Sequence, residues 1–89
     1  MSDVVLTTWT QAHCIEARIE LHRLALAAAE VHDFEQAWVL CSMTSYGIHN
    51  RWTVAYGLSM NRFTEQDIAA FFSRVDAAAI RNHPIEVED

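Results

Sequence analysis

The chain contains no lysine. Its cationic side chains are all arginine: Arg18, Arg23, Arg51, Arg62, Arg74 and Arg81. The absence excludes a lysine Schiff base and a P-loop, both of which need the ε-ammonium. The formal charge is −6, so the chain lacks the basic footprint that binding a phosphate backbone requires. An arginine-only set reads in two ways. It reflects GC-rich coding in a bacterium or phage, or it supplies two-pronged contacts to carboxylates on a partner.

Glycine and proline are scarce, at 2 and 1 in 89 residues. That composition excludes long flexible loops and a turn-rich sandwich. The two cysteines, Cys14 and Cys41, have no metal-binding spacing. Both are expected as buried free thiols on apolar helical faces, and spacing alone does not decide whether they are close enough to bridge. No run approaches the ~20 apolar residues of a membrane span. Met1-Ser2-Asp3 opens acidic rather than as a charged leader, so a cytoplasmic, reducing location is expected. No cofactor motif is present: GxGxxG, P-loop and nucleophile elbow are all missing from the sequence.

What is present is apolar and helix-forming. Hydrophobic residues make up 52% of the chain, and alanine clusters at 25, 27–29, 69–70 and 77–79. The 89 residues form one domain, 1–89. Domains of this size bury only about 60–65% of their unfolded surface, so association commonly adds to their stability.

The segment Thr10 to Glu30 is apolar on two sides when wound at about 100° per residue. Ile15, Ile19 and Leu26 share one face with His22. Cys14, Ala17, Leu21, Leu24, Ala28 and Val31 share the other. Glu16, Glu20, Arg23 and Glu30 read as a narrow solvated strip between them. A two-faced helix in a short chain implies a partner. The run Ala25–Ala29 would allow close helix approach, and an isologous homodimer is the commonest arrangement.

Residues 1–8 read as an extended arm, with Thr8 or Thr10 as helix cap. His32-Asp33 is a tight break, and Asp33 with Gln36 fits capping-box spacing. The second helix is expected over Phe34–Tyr46, with Phe34, Ala37, Trp38, Cys41 and Ser45 on one stripe and Gly47 just past its end. Such a short break makes an antiparallel hairpin. Residues 48–60 fit a short helix capped by Asn50, with Trp52, Ala55, Tyr56 and Met60 on one side. They also fit strand alternation. Thr64 with Asp67 opens the last helix, whose apolar face is Ile68, Phe71, Phe72, Val75, Ala78 and Ala79, and Pro84 ends it. Residues 84–89 read as a frayed acidic tail. The expected fold is therefore all-α, three to four helices beginning with an antiparallel hairpin. The alternative is α+β, with a short N-terminal strand pairing residues 52–58.

Five histidines invite a metal reading, and His13, Glu16 and Glu20 lie on one helical face at i, i+3 and i+7. A solvated strip has the same spacing, and no HExxH or paired Glu-x-x-His pattern is present, so no metal site is assigned. His22 on an apolar face reads as a core histidine, or as an interface residue that makes association pH-sensitive. A cysteine–histidine dyad lacks an oxyanion hole, and no catalytic residue is assigned.

The heavy aromatic content points to contact surfaces. Trp9, Leu21, Leu24, Tyr46, His49, Arg51 and Trp52 are the candidate partner-binding residues, since Trp, Tyr and Arg dominate interface hot spots. The expected function is a small non-enzymatic protein–protein interaction module, a bacterial or phage regulator or inhibitor. Anti-activators, immunity proteins and phage-encoded inhibitors share this size and charge. The expected partners are a second copy of the chain and a protein client, with neither nucleic acid nor membrane. The alternative is a small-ligand or metal sensor whose pocket holds Trp38, Tyr56, Phe71, His22 and Cys41.

Overall fold

The computed structural model describes residues 9–46 and 48–83, the side chain of Tyr46 excepted. The expected arm, tail and Gly47 cap lie outside the described residues. Four helices follow one another: α1 (Gln11–Glu30), α2 (Phe34–Tyr46), α3 (Arg51–Ser59) and α4 (Glu65–Asn82). No strand occurs among the described residues, and the fold is all-α. Residues 52–58 are helical, so the α+β alternative falls.

Local chemistry sets the helix limits. Thr10 caps α1 and accepts from the His13 amide, while the His13 ring accepts from the Thr10 amide. This is a capping box with histidine in place of the usual Glu or Gln. Asn50 caps α3 by accepting from the Thr53 amide at 2.9 Å. Thr64 and Asp67 cap α4 reciprocally. At the other end of α1, the amides of His32 and Asp33 donate to the carbonyls of Ala29 and Ala28, both at 2.9 Å. That is the Schellman pattern, and it requires a left-handed residue, supplied by His32 at φ 63° rather than by glycine. Asp33 then accepts from the Gln36 amide and starts α2.

The tight turn sends α2 back along α1. α1 also packs on α4, and α3 packs on α4. Gly57 brings α3 against α2, since a Cβ there would lie 2.6 Å from Met43 Cε. Every helix supplies the core: Leu21 from α1, Leu40 from α2, Val54 and Leu58 from α3, Phe71 and Val75 from α4. Burying each such side chain contributes about 1.5–3 kcal/mol. The face expected for α4 is the one it buries.

Two expectations about faces are corrected. The α2 stripe Phe34, Trp38, Cys41 and Ser45 is exposed, and Leu40 and Met43 on the opposite side enter the core. Cys41 is therefore an exposed free thiol, and Cys14 is half-buried. The presumed solvated strip of α1 is not solvated: Glu16 and Glu20 are 7% and 8% exposed.

Candidate interaction surface

Glu16 and Glu20 are buried because α4 supplies partners for them. Arg74 Nε donates to Glu20 Oε2 at 2.6 Å, and Arg23 grips the same carboxylate at 2.7 and 3.2 Å. Burial pushes the Glu20 carboxyl upward, but the hydrogen bonds and charges of Arg23 and Arg74 outweigh it and hold it below its ordinary value. The same carboxylate raises the already high pKa of Arg23. Glu16 lies 2.8 Å from His83 Nε2 and accepts a 3.4 Å bond from Asn82. His13 completes this polar edge of the α1–α4 contact. Its Nδ1 accepts from the Thr10 amide, so the neutral ring carries its proton on Nε2, 3.3 Å from Asp76 Oδ1. His13, Glu16 and Glu20 thus serve three separate partners instead of converging on one cation. No group of three metal-ligating side chains gathers among the described residues.

A second cluster locks the start of α1 to the start of α3. Arg51 donates to both oxygens of Asp76 at 2.8 and 3.3 Å. Its guanidinium lies 4.6 Å from the Phe72 ring centre and 5.7 Å from that of Trp9. Trp9 stacks on His13, meets Phe72 edge-on and donates its indole N–H to the Ile48 carbonyl at 3.1 Å. The Cys14 thiol donates to the same carbonyl.

These contacts redistribute the candidate partner-binding residues. Leu21 is fully buried in the chain's own core. Leu24 is half-buried and packs against that core. Trp9 and Arg51 are engaged internally, so none of these four is a free anchor. The reason is that α1 turns its Leu21 face toward α2 and α4, leaving the Ile19 face outward. His49 and Trp52 are exposed, and the Tyr46 side chain lies outside the described residues.

Outward-facing apolar groups fall into stripes that the candidate set largely missed. On α1, Ile19, His22 and Leu26 are exposed, with Ile15 half-buried beside them. His22 is therefore no core histidine. On α2, Phe34 and Trp38 stand out, Trp38 at 73% exposure. On α3, Trp52 and Tyr56 stack with ring centres 5.4 Å apart, Trp52 at 71% exposure, and Met60 follows one turn on. Their helical spacing was legible, but it gave no sign of which apolar face would point outward. A shallow cleft of about 330 Å³ between α2 and the turn after α3 is lined by Glu35, Gln36, Val39, Met60, Asn61 and Arg62. None of the five residues expected in a sensor pocket lines it. Arg62 closes the cleft's end, donating to Gln36 and Asp33.

No family model, curated protein or solved structure matches the chain. No helix among the described residues is long and apolar enough to cross a membrane.

Proposed function

We propose that the chain is a non-enzymatic interaction module, a small cytoplasmic regulator or inhibitor of bacterial or phage type. One apolar face serves self-association, and others hold a client protein. The observation behind this reading is the set of outward stripes on α1, α2 and α3, in a chain whose core is complete without them. A lone exposed leucine is ordinary, whereas aligned apolar side chains mark contact surfaces. Trp38, Trp52 and Tyr56 are the residue types that anchor interfaces, and they are the client-binding candidates. The acidic charge favours a basic client. The two unpaired thiols suit a reducing compartment. His13, whose ring lies beside both a hydroxyl and a carboxylate, serves a helix cap, which supports a non-catalytic role. No observation favours the sensor alternative.

The test is a photo-crosslinking amino acid placed at Trp38 or Trp52 in the source cells, with Gln66 on exposed α4 as control. The expected result is a discrete adduct with one protein from positions 38 and 52 and none from 66. No adduct, or the same smear from all three positions, overturns the reading.

A further inference from the structure

The outward side of α1 carries a pattern more specific than general apolarity. Ala12, Ile15, Ile19, His22, Leu26 and Ala29 follow a 3-4-3-4-3 spacing. This is the a/d repeat of a helix that packs along another helix. The six positions stay within about 100° of one another on the wheel, opposite Ala17 and Leu24, which pack in or against the core. None of them is fully buried, and Ile19, His22 and Leu26 are exposed. Ala12, Ile15 and Ala29 are half-buried at the ends of this seam, and Ile19, His22 and Leu26 form its exposed middle.

The spacing is also its own reverse. Laid antiparallel on a second copy, Ala12 meets Ala29, Ile15 meets Leu26, and Ile19 meets His22. Each layer then recurs by two-fold symmetry, as an isologous contact demands. The charged flanks distinguish the two directions. A parallel pair would set Arg18 against Arg23 of the other copy and His22 against itself. The antiparallel pair sets Arg18 opposite Ala25 and so keeps the two arginines of one copy apart from those of the other. It also opposes the two helix dipoles.

We infer that the partner on this face is a second copy of the chain, docked α1 against α1 in antiparallel register with Ile15 over Leu26. The inference rests on the interaction-module reading and gives its self-association a location. Two short helices bury less than the ~1,200 Å² of a standard stable interface, so the dimer forms and dissociates with concentration.

The experiment uses the full chain with Cys14→Ser and Cys41→Ser, first checked for native helicity and melting. Copies carrying Ile15→Cys and copies carrying Leu26→Cys are mixed and oxidised in a glutathione couple. The 15–26 disulfide dimer is the expected main product, over the 15–15 and 26–26 dimers. In the otherwise unmodified chain, Ile19→Lys is expected to raise the dimer dissociation constant about tenfold or more, since a charge enters the seam. Dominant 15–15 and 26–26 products overturn the antiparallel register. A concentration-dependent dimer that ignores Ile19→Lys and yields no cross-link places self-association on another face and overturns the inference. A monomer at every concentration overturns it too. In each of these cases, client adducts persisting at Trp38 and Trp52 leave the interaction reading standing, and their loss removes both. If the cysteine-free chain fails to fold, the Ile19→Lys dilution series decides alone.

Discussion

Arg51 holds Asp76 with both terminal nitrogens, joining the first turn of α3 to α4 across 25 positions of sequence. The same guanidinium lies over Phe72 and beside Trp9. A planar, two-pronged cation does both at once, and an ammonium does not. Arg51→Lys is therefore expected to destabilise by about 1 kcal/mol, limited by solvent around the partly exposed Asp76. Urea unfolding measures it. An unchanged midpoint would show that the fork and the ring contacts contribute nothing.

The Glu20 carboxylate buried along α1 makes the fold acid-sensitive. Glu20 is held below its ordinary value of 4.5 in the folded chain. Its contribution is fully present above that value and is lost as pH falls through the lowered folded value. The wild-type melting temperature should therefore drop as pH falls below 4.5. Glu20→Gln should melt lower near neutrality and show a flatter acid limb. Parallel melting curves for the two proteins over this range would refute the assignment.

His32 occupies a left-handed conformation that costs a β-carbon-bearing residue about 1–2 kcal/mol. Glycine adopts it freely at a helix end. His32→Gly is expected to stabilise the chain by about 0.5–1 kcal/mol, after the added freedom of the unfolded chain is subtracted. The His32–Phe34 ring contact is lost in the exchange. A lower melting temperature would show that this contact outweighs the backbone strain.

The opposite faces of α1 should answer differently to the same insult. Sequence alone predicts that Leu21→Glu and Leu26→Glu both disrupt assembly. The structure separates them. Leu21 is fully enclosed, and a charge there is expected to abolish folding, since even truncation to alanine costs about 2–5 kcal/mol. Leu26 is 59% exposed, so Leu26→Glu should keep its circular dichroism spectrum and lose only the dimer in light scattering. Equal damage from both would remove the distinction between the faces.

Trp52→Ser offers a contrasting case. The Trp52–Tyr56 stack is an exposed i, i+4 pair, worth about 0.2–0.5 kcal/mol to its helix. Stability should scarcely move, while photo-adducts from a cross-linker at Trp38 should diminish if both tryptophans grip one client. A large loss of stability would make Trp52 a structural residue.

Much of the fold was legible because its signals are local. Thr64 and Asp67, Asn50, and Asp33 with Gln36 each announce a helix start within four residues. The α4 face is apolar on one side only, so its orientation follows. The polar edge of α1 was not legible. Glu16 and Glu20 look like solvated residues until Arg74, Asn82 and His83 are brought beside them from more than fifty positions away. The orientation of α1 was equally hidden, because both faces are apolar and periodicity does not rank them. Ala17, Leu21 and Ala25 are the apolar residues that α1 turns inward. Candidate anchors failed for a related reason. Trp9 and Arg51 have the composition of a hot spot, but the interface they complete lies inside one chain.

The three tryptophans occupy different surroundings on separate parts of the chain. Trp9 is half-buried, stacked on an imidazole and bonded to a carbonyl, while Trp38 and Trp52 face water. Their fluorescence is therefore divided by task. On unfolding, Trp9 exchanges the most protein environment for solvent, so the red shift of the spectrum mainly follows the corner where α1, α3 and α4 meet. On docking, only Trp38 and Trp52 can be dried, and their shift is to the blue. A Trp9→Phe chain would give an intrinsic optical report of occupancy without any attached dye.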